Sequence, residues 1–340
     1  MRADAFLLTH LPSIRYVSGF SGSSAVVLVT MNTNYFFTDF RYKEQSKAQV
    51  NGFQIIINYL SNEEIRNVIS SGKLRNVLFE STHITVDGLR SLQELIPDVN
   101  FIPQKEKVEL CTMIKTEEEI GMIRNAVDIS DRVFAELLEI IRPGVSEMDI
   151  SAEISYLHKK FGAERDAFEP IVASGERGAL PHGTASNRLI RKGEMVTLDF
   201  GCVYNGFCSD LTRTISVGKP SDEMKKIYSI VSEAQARAVE NARAGITTRA
   251  LDSFARDIIN EAGYGDKFGH GLGHGIGIEV HEPPGISQRT DIVLQEGTVV
   301  TIEPGIYVEN LGGVRIEDDV LIKQNGAEIL NKSSKDLLII

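Results

Sequence analysis

A nine-residue stretch occurs twice in this chain, and the repetition constrains the fold more than any other feature. Gly193-Glu-Met-Val-Thr-Leu-Asp-Phe-Gly201 returns as Gly297-Thr-Val-Val-Thr-Ile-Glu-Pro-Gly305. Each copy is a β-rich apolar run ending in a carboxylate, Asp199 or Glu303, and closing on a glycine two residues later. The offset is 303 − 199 = 104 residues. A carboxylate at the end of a buried strand is costly unless positive charge compensates it. Two such strands point to one shared compensating partner, and a metal centre is the expectation.

The repeat extends beyond the strands. Arg142-Pro-Gly-Val-Ser146 returns as Arg243-Ala-Gly-Ile-Thr247, in both cases a helix end followed by a fresh N-cap. Thr116-Glu-Glu-Glu119 forms a capping box that opens a helix running to about Ile141. A second helix is expected from Ser146 to Gly162. Residues 116–218 and 219–325 then each read helix, helix, strand, strand, as duplication about a pseudo-twofold axis would produce. Ahead of them, strands at 24–30, 34–38, 53–57 and 76–80 alternate with helices at 40–50, 62–71 and 85–95, the pattern of a small α/β domain. Residues 15–23 read as a glycine- and serine-rich loop lacking the ending of a phosphate-binding loop. Residues 103–115 read as a linker. The expected layout is an α/β domain over 1–112 and an α+β domain with an internal repeat over 113–340.

The 340 residues suffice for two domains, each with its own core. A net charge of −11 argues against a nucleic-acid partner, which requires a basic face. No stretch approaches a membrane span, and Met1–His10 lacks the apolar region of a signal peptide. Three cysteines make no disulfide framework, so a cytoplasmic protein is expected. Cys202 and Cys208 flank the first carboxylate strand, but they read as small buried apolar residues and not as thiolate ligands.

Asp199 and Asp210 lie on either side of Asn205-Gly206, a turn pair; their midpoint falls between Tyr204 and Asn205. Glu303 and Glu317 lie symmetrically about Asn310. Facing strand positions are about 4.5–5.5 Å apart, so each pair can share one face. Four clustered carboxylates cannot all stay ionised without counter-charge. Arg213 and Arg315 are near in sequence, but two divalent cations, about 3.5–4 Å apart, answer the need better. Three of the seven histidines, His270, His274 and His281, fall within twelve residues studded with glycine. Imidazole among hard oxygens suits Mn²⁺, Co²⁺ or Zn²⁺ more than Mg²⁺.

These residues, within His-Gly-Leu-Gly-His-Gly-Ile-Gly and Thr-Ile-Glu-Pro-Gly, resemble the pita-bread metallopeptidases, and the two-domain layout resembles their aminopeptidase P and prolidase branch. Tyr16-Val-Ser-Gly-Phe-Ser-Gly-Ser23 is similar to the aminopeptidase P side. The resemblance implies two divalent ions, Mn²⁺ before Co²⁺ or Zn²⁺, held by Asp199, Asp210, His274, Glu303 and Glu317. Asp210 and Glu317 would bridge, and Glu303 would also act as general base on a metal-bridging hydroxide. His281 would steady the oxygen of the tetrahedral intermediate. His182 would sit near the scissile bond, while His270 and Arg315 would shape the substrate pocket. The implied activity is removal of an N-terminal residue preceding proline by a homodimeric Xaa-Pro aminopeptidase, with Xaa-Pro dipeptidase as the alternative. Methionine aminopeptidases usually lack the preceding domain. Creatinase-like hydrolases and metal-free peptide-binding scaffolds lack the intact ligand set present here.

Overall fold

The computed structural model describes residues 3–57 and 62–340, so the first two residues of the Met1–His10 stretch lie outside it. The chain divides into two compact units, Met1–Cys111 and Thr112–Ile340.

The first unit runs β1 (Ala5–Leu8), α1 (Leu11–Ser18), β2 (Ala25–Thr30), β3 (Tyr35–Thr38), α2 (Lys43–Gln49), β4 (Gln54–Ile57), α3 (Asn62–Ser71), β5 (Asn76–Glu80), α4 (Val86–Leu95), β6 (Asn100–Gln104) and α5 (Lys107–Thr112), whose last residue is the first of the second unit. Its mixed sheet has the order β4-β3-β2-β1-β5-β6. Two expectations need correcting. Half of the supposed loop at 15–23 is helix: α1 has Pro12 in its first turn and stops at Gly19, whose φ is 76°. The supposed linker at 103–115 contains the end of β6 and the whole of α5, because Phe101 and Val108 are buried and fix those segments to the unit's core.

The second unit begins with α6 (Glu117–Ile140) and α7 (Glu147–Lys160), followed by β7 (Arg165–Asp166), β8 (Ile171–Ser174), β9 (Glu194–Phe200), β10 (Cys202–Tyr204), β11 (Phe207–Cys208) and β12 (Leu211–Val217). Its later half consists of α8 (Asp222–Asn241), α9 (Thr248–Glu261), β13 (Gly273–Gly275), β14 (Glu282–Ile286), β15 (Val299–Ile302), β16 (Gly305–Val308), β17 (Gly312–Arg315), β18 (Asp318–Lys323) and β19 (Gly326–Ile329). Thr116 and Glu119 form both bonds of the capping box, and Ser146 with Asp149 repeats the device at α7. Ser221 and Thr247 cap α8 and α9.

The duplication is visible in backbone detail. Gly144 N–H donates to Ile190 and Gly245 N–H to Leu294, both at 2.9 Å, and the return bonds from Ile190 to Val145 and Leu294 to Ile246 match as well. Each half also buries its own core. One includes Ile150, Ile154, Leu198 and Leu211 beneath α6 and α7; the other includes Val231, Leu251, Val300 and Ile302 beneath α8 and α9. Each such side chain contributes roughly 1.5–3 kcal/mol on burial. The two cores make the strands between them rigid mounts for whatever projects from their ends.

Candidate metal centre

The two carboxylate hairpins differ in register. Glu303 and Glu317 stand opposite each other as expected: β15 pairs with β18 at Ile302 and Asp318, and β16 with β17 at Gly305 and Arg315. In the first hairpin Asp199 faces Thr212, two residues beyond the expected Asp210. The cause is the turn. Asn205 and Gly206 both have positive φ, 46° and 87°, as a two-residue hairpin loop of type I′ requires, and Tyr204 pairs with Phe207. Centring the turn one residue earlier would force Tyr204 to positive φ. A slip of two residues keeps side chains on the same face, so Asp210 still projects with Asp199.

The nine side chains to which the resemblance gave a role line one cavity of about 460 Å³: His182, Asp199, Asp210, His270, His274, His281, Glu303, Arg315 and Glu317; Arg213, the other candidate counter-charge, pairs with Asp318 instead. Ligand atoms of Asp210, His274 and Glu317 lie within 4.8 Å of one another. His274 Nε2 is 3.4 Å from Glu303 Oε1 and 3.8 Å from Asp210 Oδ2. Its Nδ1 lies 3.1 Å from the Gly275 carbonyl, which can only accept, so that bond fixes the tautomer and leaves Nε2 bare toward the carboxylates. Asp199 joins the cluster through Arg315, whose Nη2 donates to its Oδ2.

Strands from the two halves are stitched together at the cluster. Thr212 Oγ1 donates to Glu317 Oε2 at 2.5 Å and accepts from Arg315 Nε at 3.1 Å. Glu317 N–H donates to the Thr212 carbonyl at 3.1 Å, and Asp210 N–H donates to Asp319 Oδ2 at 2.9 Å. Behind them Arg315 Nη1 donates to Tyr307 Oη at 2.8 Å, and Tyr307 Oη lies 2.9 Å from His270 Nε2. His270 Nδ1 is committed to the Gly271 carbonyl, so the phenol donates to Nε2.

Thr212 and Tyr307 escaped the sequence reading, although both carry a signal. Thr212 follows Asp210 by two and therefore shares its face. Tyr307 shares a face with Glu303, with Gly305 between them; a Cβ on Gly305 would lie 2.4 Å from Tyr307 Oη. The glycine that closes the second repeat makes room for this phenol. The matching Gly201 serves another need, since a Cβ there would fall 1.8 Å from the Ser209 carbonyl. The thiols of Cys202 and Cys208 are buried, and burial pushes Cys202 up to about 11 and Cys208 higher still, so neither is a thiolate ligand.

The donor set fits divalent metal. Asp199 Oδ1, Asp210 Oδ1 and Glu317 Oε1 are buried and lack a hydrogen-bond partner among the described residues. Such oxygens are costly unless a cation occupies the space they face. Burial, reinforced by the neighbouring carboxylates, raises Asp210 and Glu317 well above the carboxylate range. Burial also lifts Glu303 to about 8, with Arg315 opposing and Asp199 adding. His274 is held near 4 by burial and by His281, so it is neutral and able to ligate. Burial raises Tyr307 to about 12 against the pull of Arg315, which keeps the phenol a donor.

A stability signature follows. In metal-free protein the folded Glu303 carboxyl titrates near 8 against 4.5 for an unperturbed glutamate. Its contribution is fully present below the lower value and is lost as pH rises through the higher one. Chelator-stripped protein should therefore lose melting temperature between those two values, while Mn²⁺-loaded protein keeps it. Parallel melting curves for the two forms across that window would contradict the assigned counter-charge.

Strand pairs from both halves, delivering carboxylates and one neutral imidazole to a single cavity, define a pita-bread metallopeptidase. The chain belongs to metallopeptidase family M24, which matches residues 121–324, and residues 2–114 match the creatinase/prolidase N-terminal domain. It is 43% identical over 346 residues to an Xaa-Pro dipeptidase of Pyrococcus furiosus, covering 98% of this chain and 95% of that one. The structure resembles an Xaa-Pro dipeptidase from Bacillus anthracis (TM-score 0.97, 46% identity, 99% and 95% of the two chains). It also resembles an X-Pro aminopeptidase from Thermotoga maritima (TM-score 0.94, 41% identity, 99% and 98%). Family membership makes the protein a hydrolase that uses divalent metal. No helix among the described residues is long and apolar enough to cross a membrane.

Proposed function

We propose that this protein hydrolyses the bond between an N-terminal residue and a following proline, with Xaa-Pro dipeptides as its principal substrates. The observation that carries the proposal is the set of three orphaned carboxylate oxygens on residues lining the same cavity as His274 and its bare Nε2. Asp199, Asp210, His274, Glu303 and Glu317 would hold two divalent ions; one imidazole among oxygens suits Mn²⁺, Co²⁺ or Zn²⁺ more than Mg²⁺, and the family resemblance puts Mn²⁺ first among the three. Bound there, the metal would supply Lewis-acid polarisation of the scissile carbonyl and lower the pKa of an attacking water.

The protein's own groups divide the remaining work. Glu303 accepts the water's proton at its carboxylate, and a group poised near 8 before metal binds is suited to hold and release one. His281 and His182, both exposed residues on the cavity wall, face the substrate side. His281 donates to the oxygen that gains charge, and His182 contacts the peptide beside the scissile bond. Arg315 holds Asp199 by one oxygen and leaves the other for the metal or the substrate amine. His270, held by Tyr307, shapes the wall. Phe168, Ile171, Pro181 and Val280 give the cavity apolar surface for a proline ring.

The relatives shift the order of the two substrate readings. Dipeptidases from two organisms favour the dipeptide, while the Thermotoga likeness keeps the aminopeptidase as the second reading. The test compares Xaa-Pro with Xaa-Pro-Yaa in Mn²⁺. A higher kcat/KM on the dipeptide is expected; a higher value on the tripeptide would make the protein an aminopeptidase. Cleavage of neither would leave a peptide-binding scaffold. A cytoplasmic homodimer belongs to the same reading, and sedimentation at the mass of a monomer would remove that part.

A further inference from the structure

The imidazole ligand sits on a segment that should be hard to fix. From Gly269 to Gly277 every second residue is glycine. Ordering a backbone costs about 1–2 kcal/mol per residue, and glycine loses the most freedom. His274 can be held in one place only by anchors from outside the segment.

One side of the segment is anchored by strands. Glu303 N–H donates to the Leu272 carbonyl at 2.8 Å, His274 N–H donates to Thr301 Oγ1 at 3.1 Å, and Gly275 pairs with Val300. The approach is close: a Cβ on Gly273 would lie 2.0 Å from the Thr301 carbonyl.

The other side is anchored by two residues one turn apart on α9. Arg256 Nη1 donates to the Phe268 carbonyl at 3.0 Å, and Nη2 to the His270 carbonyl at 2.7 Å. Asp252 Oδ1 accepts from Leu272 N–H at 3.0 Å. Residues 268, 270 and 272 are thus pinned in succession, one peptide group in each pair. The two anchors also lock each other, through Nε to Oδ2 at 2.6 Å and Nη2 to Oδ1 at 2.8 Å. The guanidinium carbon lies 4.2 Å from the centre of the Phe268 ring, and Gln288 Nε2 donates to Asp252 Oδ2 at 2.7 Å. Asp252 is fully buried with its acceptors used, and the Arg256 side chain is 20% exposed.

We propose that Asp252 and Arg256 are positioning residues for the metal centre, a clamp that fixes the glycine-rich segment so that His274 Nε2 meets the carboxylates. The inference rests on the metal reading of the cavity. Arg256 makes four hydrogen bonds from three nitrogens spread over a planar fork, whereas a lysine ammonium offers three donors from a single nitrogen, so lysine is no full substitute despite its charge.

The experiment measures Mn²⁺ affinity by competition with a chelating dye, using the full chain as wild type, Arg256→Met, Arg256→Lys and Arg188→Met. The last variant breaks the partly buried Arg188–Glu194 pair, which does not touch the segment. Both Arg256 variants should bind Mn²⁺ about 10–100-fold more weakly, the usual effect of losing an outer support of a metal ligand. Arg188→Met should keep wild-type affinity at a comparable loss of melting temperature. If Arg256→Met does not fold, Arg256→Lys carries the comparison. Wild-type affinity in a folded Arg256 variant overturns the clamp alone, as does equal weakening in Arg188→Met. Failure of wild type to bind Mn²⁺ overturns the metal reading and the clamp with it.

Discussion

Glu303→Gln should reduce kcat by about 10²–10⁴-fold, the range for removing a positioned acid–base group, and leave the fold intact. The amide matches the carboxylate in size, so the packing around the end of β15 is undisturbed. The carboxyl titrates near 8 when no metal balances it and is then largely protonated near neutrality, so a neutral amide adds no burial cost. The fold therefore has no reason to weaken, while the site loses its proton acceptor and the oxygen 3.4 Å from His274 Nε2 loses its charge. Steady-state turnover at saturating Mn²⁺, beside a thermal melt, gives the answer. A variant with near-wild-type kcat would show that the proton goes elsewhere.

His281→Ala is expected to separate catalysis from metal binding. His281 lies in the same cavity, with its ring centroid 4.3 Å from that of His274, on the exposed wall that faces the substrate side. Partial burial of the ring pushes the imidazole below its ordinary value, with Asp199 opposing and His182 adding, so near neutrality the ring is uncharged and donates one hydrogen bond. Losing one such donor to a developing oxyanion costs about 10²–10³-fold in kcat. Metal content should stay unchanged. An equal loss of metal, measured by elemental analysis of the purified variant, would make His281 a ligand.

What could be read from the sequence was local or repeated. The capping residues Thr116 and Ser146 announce their helices because an N-cap bonds within its own turn. The duplicated strands announce the site because two copies of an otherwise costly carboxylate need a common cause. Local reasoning failed where a choice depended on neighbours. The first hairpin shifted by two residues because Asn205 and Gly206 could both take positive φ and Tyr204 could not do so cheaply. β1 gave no alternating pattern because it lies inside the sheet between β2 and β5, with three of its four residues buried. Arg256 and Asp252 look like an ordinary i, i+4 pair on a helix; only the fold shows that both reach a segment 12–20 residues further on. Tyr307 was hidden for a different reason, since its place depends on an absent side chain at Gly305.

The central claim is that two strand pairs built by duplication hold divalent metal for hydrolysis before proline. The direct measurement is a titration of chelator-stripped protein with Mn²⁺, following bound metal and Xaa-Pro cleavage on the same samples. Activity should be absent at the start and rise with bound metal until about two ions per chain are held. Hydrolysis at full rate without metal, or saturation with metal and no cleavage, would contradict the account.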